Sequence, residues 1–246
     1  MNVIHLPQAS ERRYIRLARD LADRIARGEF ATGDRLPPER ELATELSVSR
    51  TTVREALLAL ELMGHVEIRV GSGVFVLDPP EEAPAADEPD EAGPFEIVEL
   101  RRTVEGDAAR LAATRMSERQ IERLWKAQRQ MADAVDDVPT FDRADRDFHA
   151  VIAEGSGNAL MERMIRDLWG MRRGAMWRRW YDQTRSRENR VRSILEHERI
   201  AQALRRRLPE VAATAMQGHI DVLADRFFEL DLDPSEAARG GGIYKN

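Results

Sequence analysis

Gly33–Leu57 reads GDRLPPERELATELSVSRTTVREAL, and the spacing inside this stretch decides the fold of the first part of the chain. Leu36-Pro37-Pro38 ends whatever precedes it, because proline removes an amide donor and pushes its neighbour away from helical angles. Glu39 to Leu46 then predicts a short helix, with Leu42, Ala43 and Leu46 on one face. Ser47-Val48-Ser49 is a turn, and Ser49 is a good N-cap for a second helix that begins at Arg50. The second helix buries Val53, Ala56, Leu57 and Leu60 and presents Arg50, Thr51, Thr52 and Arg54 from its first turn. Hydroxyls and guanidiniums at such a helix start suit phosphates and guanine edges in a major groove. The pattern is a helix-turn-helix.

Around it lie the parts that complete a winged module. Tyr14, Leu17, Ala18, Leu21 and Ile25 form a helical stripe that Gly28 ends. Met63-Gly64 breaks the second helix. His65–Val70 and Gly73–Leu77 then alternate apolar with polar around Gly71-Ser72-Gly73, which predicts a β-hairpin in the place of a wing.

A chain of 246 residues is long enough for two cores. Its hydrophobic content is 42%, and no apolar run approaches the roughly 18 residues of a membrane span, so no membrane partner is expected. There is no cysteine and no apolar leader with a cleavage site, and the expected location is the cytoplasm. The net charge of −6 looks wrong for a DNA binder, yet Glu81–Glu91 alone holds six acids and no base. DNA affinity therefore has to come from local arginines.

Residues 79–94 read PPEEAPAADEPDEAGP, a stretch with almost no large apolar side chain, and are expected to be a linker. The expected division is thus 1–78 for the winged helix-turn-helix, 79–94 for the linker, 95–230 for a helical domain and 231–246 for a flexible tail. Within 95–230 nearly everything has helical period. Leu100, Val104, Ala108, Leu111 and Ala112 form one stripe; Ser117 with Gln120 is a capping box for the next helix. A third helix runs from about Thr140 to Glu154, and Asn158 caps a fourth that continues to Trp180. Glu188–Leu208 and Pro209–Leu230 supply two more. The fold class is mainly α, a winged helix-turn-helix followed by an all-α bundle.

Three histidines, His149, His197 and His219, fall on three separate predicted helices of this bundle. Asp145 lies four residues before His149 and so shares its helix face. One carboxylate and three imidazoles suit zinc, with nickel or manganese as alternatives, and leave a position open for water or a carboxylate. Spacing alone leaves it open that each imidazole packs or caps independently.

The first module resembles the GntR family of bacterial regulators. The resemblance rests on Leu36-Pro37-Pro38-Glu39-Arg40-Glu41-Leu42-Ala43, on Val48-Ser49-Arg50-Thr51-Thr52-Val53-Arg54-Glu55-Ala56-Leu57, and on Gly71-Ser72-Gly73-Val74-Phe75-Val76. The second domain looks like the FCD subfamily, through Glu99-Leu100-Arg101 with Glu105, the Asp145-x-x-Phe148-His149 box, Gly157-Asn158, Glu196-His197 with Ile200, and His219. The resemblance implies DNA contacts at Arg40, Arg50, Thr51, Thr52, Arg54 and Gly71, with Arg69 or Ser72 as substitutes in the wing. It implies a divalent metal at Asp145, His149, His197 and His219, and it disfavours fatty acyl-CoA effectors. Glu39, Glu41 and Glu55 read as a solvated helix face.

These features lead to a DNA-binding regulator, a repressor by expectation, that acts as a homodimer on a palindromic operator. Its effector would be a small carboxylate completing the metal's shell, with Arg101 as a bidentate clamp. Trp169-Gly170-Met171-Arg172 and Met176-Trp177-Arg178-Arg179-Trp180 place indoles and guanidiniums near the cavity, and Arg172 and Trp180 are the expected contacts. A similar stretch in sugar-acid regulators of the subfamily puts hexuronates or aldonates first, with lactate or a dicarboxylate behind. A purely structural metal is the second reading. A metalloenzyme is the third, and it lacks a group placed as general base.

Overall fold

A computed structural model describes residues 12–78 and 92–229. The expected linker, apart from residues 92–94, and the expected tail lie outside the described residues. Contacts sort the chain into two units, the second being Pro94–Leu230.

In the first unit α1 (Arg13–Ala26) packs against α3 (Arg50–Leu62), and α2 (Glu39–Glu45) packs on α3 as well. Pro38 stands at the start of α2, and Ser47, at φ 53°, makes the reversal into α3. Ser49 caps α3 by accepting from the Thr52 amide at 3.1 Å. Leu21, Leu42, Val53, Ala56, Leu57 and Leu60 close the core between the three helices. The wing follows as β1 (Val66–Arg69) and β2 (Gly73–Val76), antiparallel, with Val66 opposite Val76 and Arg69 opposite Gly73. Gly71 sits in its turn at φ +73°, in the left-handed region where a side chain would be strained.

Two expectations change here. Arg54, expected at the DNA face, is 3% exposed and donates from Nε to Glu39 Oε1 at 2.5 Å. Glu39 and Glu55, expected on a solvated face, are both buried. The reason is geometric: Arg54 lies in the second turn of α3, where that helix turns towards α2, so its charge serves to tie the two helices together.

The second unit is built from α4 (Pro94–Arg115), α5 (Glu118–Asp133), α6 (Val138–Gly155), α7 (Ala159–Met171), α8 (Ala175–Thr184), α9 (Arg187–Arg205) and α10 (Pro209–Glu229). The Ser117–Gln120 capping box opens α5, and Asn158 caps α7 through the amides of Leu160 and Met161. α4 is central and packs on α6, α7, α9 and α10. Its inward face is turned from the expected stripe. Leu100 is exposed, whereas Ile97, Arg101, Glu105, Ala108 and Ala112 are buried. Small alanines at Ala108, Ala109, Ala112 and Ala113 let neighbouring helices approach closely, so a larger leucine is not what marks the core. The single helix expected from Asn158 to Trp180 is two, broken at Arg172–Gly174 where Gly174 becomes the N-cap of α8.

Removing one member of the Arg54–Glu39 pair takes a close partner from a buried charge inside the first unit. Glu39→Ala is expected to cost about 3–5 kcal/mol of that unit's stability, read as an earlier first transition in denaturant unfolding of the full chain. A loss below about 1 kcal/mol would place Glu39 among the weak surface pairs.

Candidate metal centre

Four ligand-type residues meet at the heart of the second unit. Asp145 and His149 come from successive turns of α6, His197 from α9 and His219 from α10, and their ligand atoms all lie within 4.8 Å of one another. All four residues are buried. His149 Nε2 lies 3.2 Å from His197 Nε2, and Asp145 Oδ1 is 3.0 Å from His197 Nε2 and 3.6 Å from His149 Nε2. Phe148 closes the cluster, its ring edge-on to His197 at 4.7 Å.

The groups behind the rings determine what this convergence can do. His149 Nδ1 donates to Glu105 on α4. His197 Nδ1 donates to the Ser193 carbonyl at 2.7 Å, and His219 Nδ1 donates to Glu196 at 2.8 Å. A carbonyl or carboxylate can only accept, so each Nδ1 carries the proton and each Nε2 presents a lone pair to the centre. Three lone pairs and a carboxylate oxygen facing one another in a buried space repel unless a cation lies between them. The arrangement of an imidazole backed by a carboxylate or carbonyl is also how metal-bound histidines are held. The donor set fits a divalent cation.

The charges agree with that geometry. Burial lowers His149, against the pull of Glu105, and lowers His219 well below the usual imidazole value, with the neighbouring imidazoles adding to it. Burial opposes ionisation of Asp145, but its polar neighbours, the His197 ring first and the Arg172 guanidinium among them, hold it well below the usual carboxylate range. Glu105, fully enclosed, is held ionised at about 2 by Arg101 and His149.

A cavity opens beside the cluster, lined in part by Arg101, Asp145, Arg172, Tyr181 and His219. Arg101 donates from Nε to Glu105 at 2.6 Å, while its buried Nη1 has no hydrogen-bond partner. Arg172, in the break between α7 and α8, stacks over Trp169 at 3.9 Å and over Trp177 at 4.8 Å. Both arginines expected at the effector are therefore here. Trp180 is not: it is buried edge-on against Trp177 at 4.5 Å and does not line the cavity. The break between α7 and α8 rotates it inward and leaves Trp169 as the indole beside the cluster, where its Nε1 donates to Glu105 at 3.2 Å.

Sequence reading missed the supporting ring. Ser193, Tyr181 and Arg226 carried no motif, Trp169 was read only as part of the stretch of indoles and guanidiniums, and Glu105 and Glu196 appeared only as marks of resemblance. Helical spacing could have found two of them, since Glu105 lies four residues after Arg101 and Ser193 four before His197.

In the first unit, Arg40 and Arg50 are exposed, and the Thr51 and Thr52 hydroxyls both lie within hydrogen-bonding distance of Ser49 Oγ, at 2.6 and 2.8 Å. Arg69 pairs with Glu67 at 2.6 Å and covers Phe75.

The profile of "Bacterial regulatory proteins, gntR family" matches residues 13–76, and that of the FCD domain matches residues 96–222. Among similar proteins, the Uxu operon transcriptional regulator of Escherichia coli K12 is 32% identical over 90% of this chain and 89% of its own length. The Exu regulon transcriptional regulator of the same strain is 35% identical over 85% of this chain and 82% of its own. The HTH-type transcriptional repressor NanR of Citrobacter rodentium is 33% identical over 82% and 80%. Among solved structures, E. coli McbR/YncC has the same fold, with a TM-score of 0.50 at 20% identity over 89% of this chain and 98% of that one.

Because His149 and His219 are held neutral in the folded chain, the unfolded chain binds more protons once the pH falls below about 6.5. With metal removed by a chelator, the melting temperature is expected to fall between about pH 7.5 and pH 5.5, and to fall less in His219→Gln. An equal fall in both proteins would take His219 out of the pH response.

Proposed function

The chain belongs to the GntR family of DNA-binding transcriptional regulators and carries its FCD domain, and from that premise we propose that the Asp145–histidine cluster holds a divalent metal through which a small sugar acid controls DNA binding. The observation that carries this reading is the outward anchoring of all three Nδ1 atoms, which leaves three Nε2 lone pairs and Asp145 converging on one point. Asp145, His149, His197 and His219 would be the ligands, with zinc the first choice and nickel or manganese the alternatives. When bound, the ion supplies a hard cationic centre for a carboxylate.

This chain's own groups do the rest. Arg101 and Arg172 bring N–H groups without a hydrogen-bond partner to the same cavity, so an arriving carboxylate meets charge and direction together. Hexuronates and aldonates lead the effector list because the Trp169–Arg172 stretch resembles that of sugar-acid regulators. Lactate or a dicarboxylate comes next. The effector acts by its differential affinity for the DNA-competent and DNA-released states.

On DNA, the exposed start of α3 supports Arg50, Thr51 and Thr52 as groove contacts, with Arg40 beside them and Gly71 in the wing; Arg54 is left out. A homodimer on a palindromic operator doubles the half-site one module can read. Adjacent helices α4 and α7 expose Leu100, Leu160, Met164 and Met171, with Leu160 79% exposed, an apolar surface suited to a second copy. Repression is the expected sign, as the name of NanR, a repressor, suggests by likeness.

Elemental analysis tests the metal. His149→Ala, His197→Ala and His219→Ala should each purify with reduced divalent metal and with a loosened second unit, since site formation is coupled to folding. Full occupancy in all three variants would return the histidines to ordinary core residues. For DNA, Arg50→Ala should weaken specific operator binding by about 1–3 kcal/mol while leaving metal content unchanged. Undiminished operator affinity would remove Arg50 from the readout.

A further inference from the structure

A second group of cations lining the same cavity narrows which acid it takes, given the reading that a sugar acid reaches the Asp145–histidine cluster. Five arginines line the cavity; Arg185 is paired with Asp182 at 2.9 Å, and the other four are Arg101, Arg172, Arg190 and Arg226. Two belong to the metal end, where Arg172 Nη1 lies 3.6 Å from Asp145 Oδ2 and Arg101 Nη1 is buried without a partner.

The other two are held by different partners. Arg190, on the first turn of α9, donates from Nε to the Val135 carbonyl and from Nη1 to the Arg185 carbonyl, each at 2.6 Å. Carbonyls from two separate segments fix its orientation and leave its full charge in place. No acidic side chain pairs with Arg190 among the described residues. Arg226, from α10, donates to Ser193 Oγ at 3.0 Å, and Ser193 sits one helical turn beyond Arg190. Arg226 Nε is buried with no hydrogen-bond partner. Between these residues, Asn189 ties its amide nitrogen to the Thr184 carbonyl at 2.7 Å, which turns its Oδ1 to the remaining side as an acceptor.

Charge accounting gives the same answer. Three carboxylates touch these four guanidiniums, Glu105, Asp145 and Glu196, and Asp142, which accepts from the Tyr181 hydroxyl, acts on Arg172 from close by. Each of the three is also engaged by an imidazole of the cluster. A divalent ion would draw further on Asp145 and add two positive charges. Buried positive charge without a counter-charge is costly, so the cavity favours a ligand that brings more than one negative group.

We propose that the effector is a polyhydroxylated dianion: a sugar acid with one carboxylate for the metal, Arg101 and Arg172, and a second anionic terminus for Arg190 and Arg226. The second group is a carboxylate, as in a hexarate, or a terminal phosphate, as in a phosphorylated aldonate.

Calorimetric titration of the metal-loaded full chain tests this with three acids: a hexuronate, the hexarate of the same chain length, and an aldonate phosphorylated at its far end. At least one dianion should bind about tenfold or more tightly than the hexuronate, an added charge-assisted pair of the kind Arg makes bidentately. Which of the two dianions does so identifies the second group. Arg190→Gln should close the gap between dianion and hexuronate, and Arg190→Lys should reopen part of it, both with metal content unchanged. Equal affinity for all three acids would overturn the proposal. So would an Arg190→Gln variant that weakens all three alike without rescue by lysine, which would make Arg190 a clamp on the Val135 and Arg185 carbonyls only. If none of the three acids binds while metal is in place, the sugar-acid reading falls, and this inference with it.

Discussion

Imidazole rings packed at random in a protein interior do not point the same nitrogen at one place. Here they do, because each ring is gripped from behind: His149 by Glu105, His197 by the Ser193 carbonyl of its own helix, His219 by Glu196. Four helices are tied together by these grips and by Asp145, namely α4, α6, α9 and α10. The tautomer each grip enforces is what turns packed histidines into potential ligands. Much of the second unit is arranged around it. The inward turn of α4 brings Glu105 to His149, and Arg101 follows one turn away to hold Glu105 ionised.

That rotation explains where sequence reading succeeded and where it could not. The helix-turn-helix was legible because proline, serine caps and apolar period act locally, and the observed α2 and α3 follow them. Asp145 with the three histidines was legible as a set because the residue types are few and fall on separate helices. The face of α4 was not. A stripe that includes Leu100 is the natural core by hydrophobicity, yet the helix buries Arg101 and Glu105, which pair with each other and meet His149 and Trp169 from distant parts of the chain. Arg54 misleads in the same way. An arginine near the start of α3 looks like a DNA contact until Glu39, fifteen residues earlier, is seen to take it inside. Long-range pairing of buried charge leaves no periodic trace.

The break at Arg172–Gly174 was also invisible in the pattern, since apolar residues continue on both sides of it at helical spacing. Its effect is large. It frees Arg172 from either helix to lie across Trp169 and Trp177 and against Asp145, and it sends Trp180 to the core in place of the cavity. One interruption of three residues thus decides which aromatic ring borders the cluster and which cation shares its carboxylate.

The grips and the cavity walls come from different stretches of chain. The imidazoles and their anchors lie inside long, well-capped helices, whereas Arg172, Tyr181, Arg185 and Asn189 sit at or near the joints on either side of α8. Joints tolerate replacement and small changes of length far better than helix interiors do. A duplicated gene could therefore drift at these joints and reshape the cavity, with the histidine centre inherited intact. The architecture separates the convergent imidazoles from the walls beside them, so that each can change without the other.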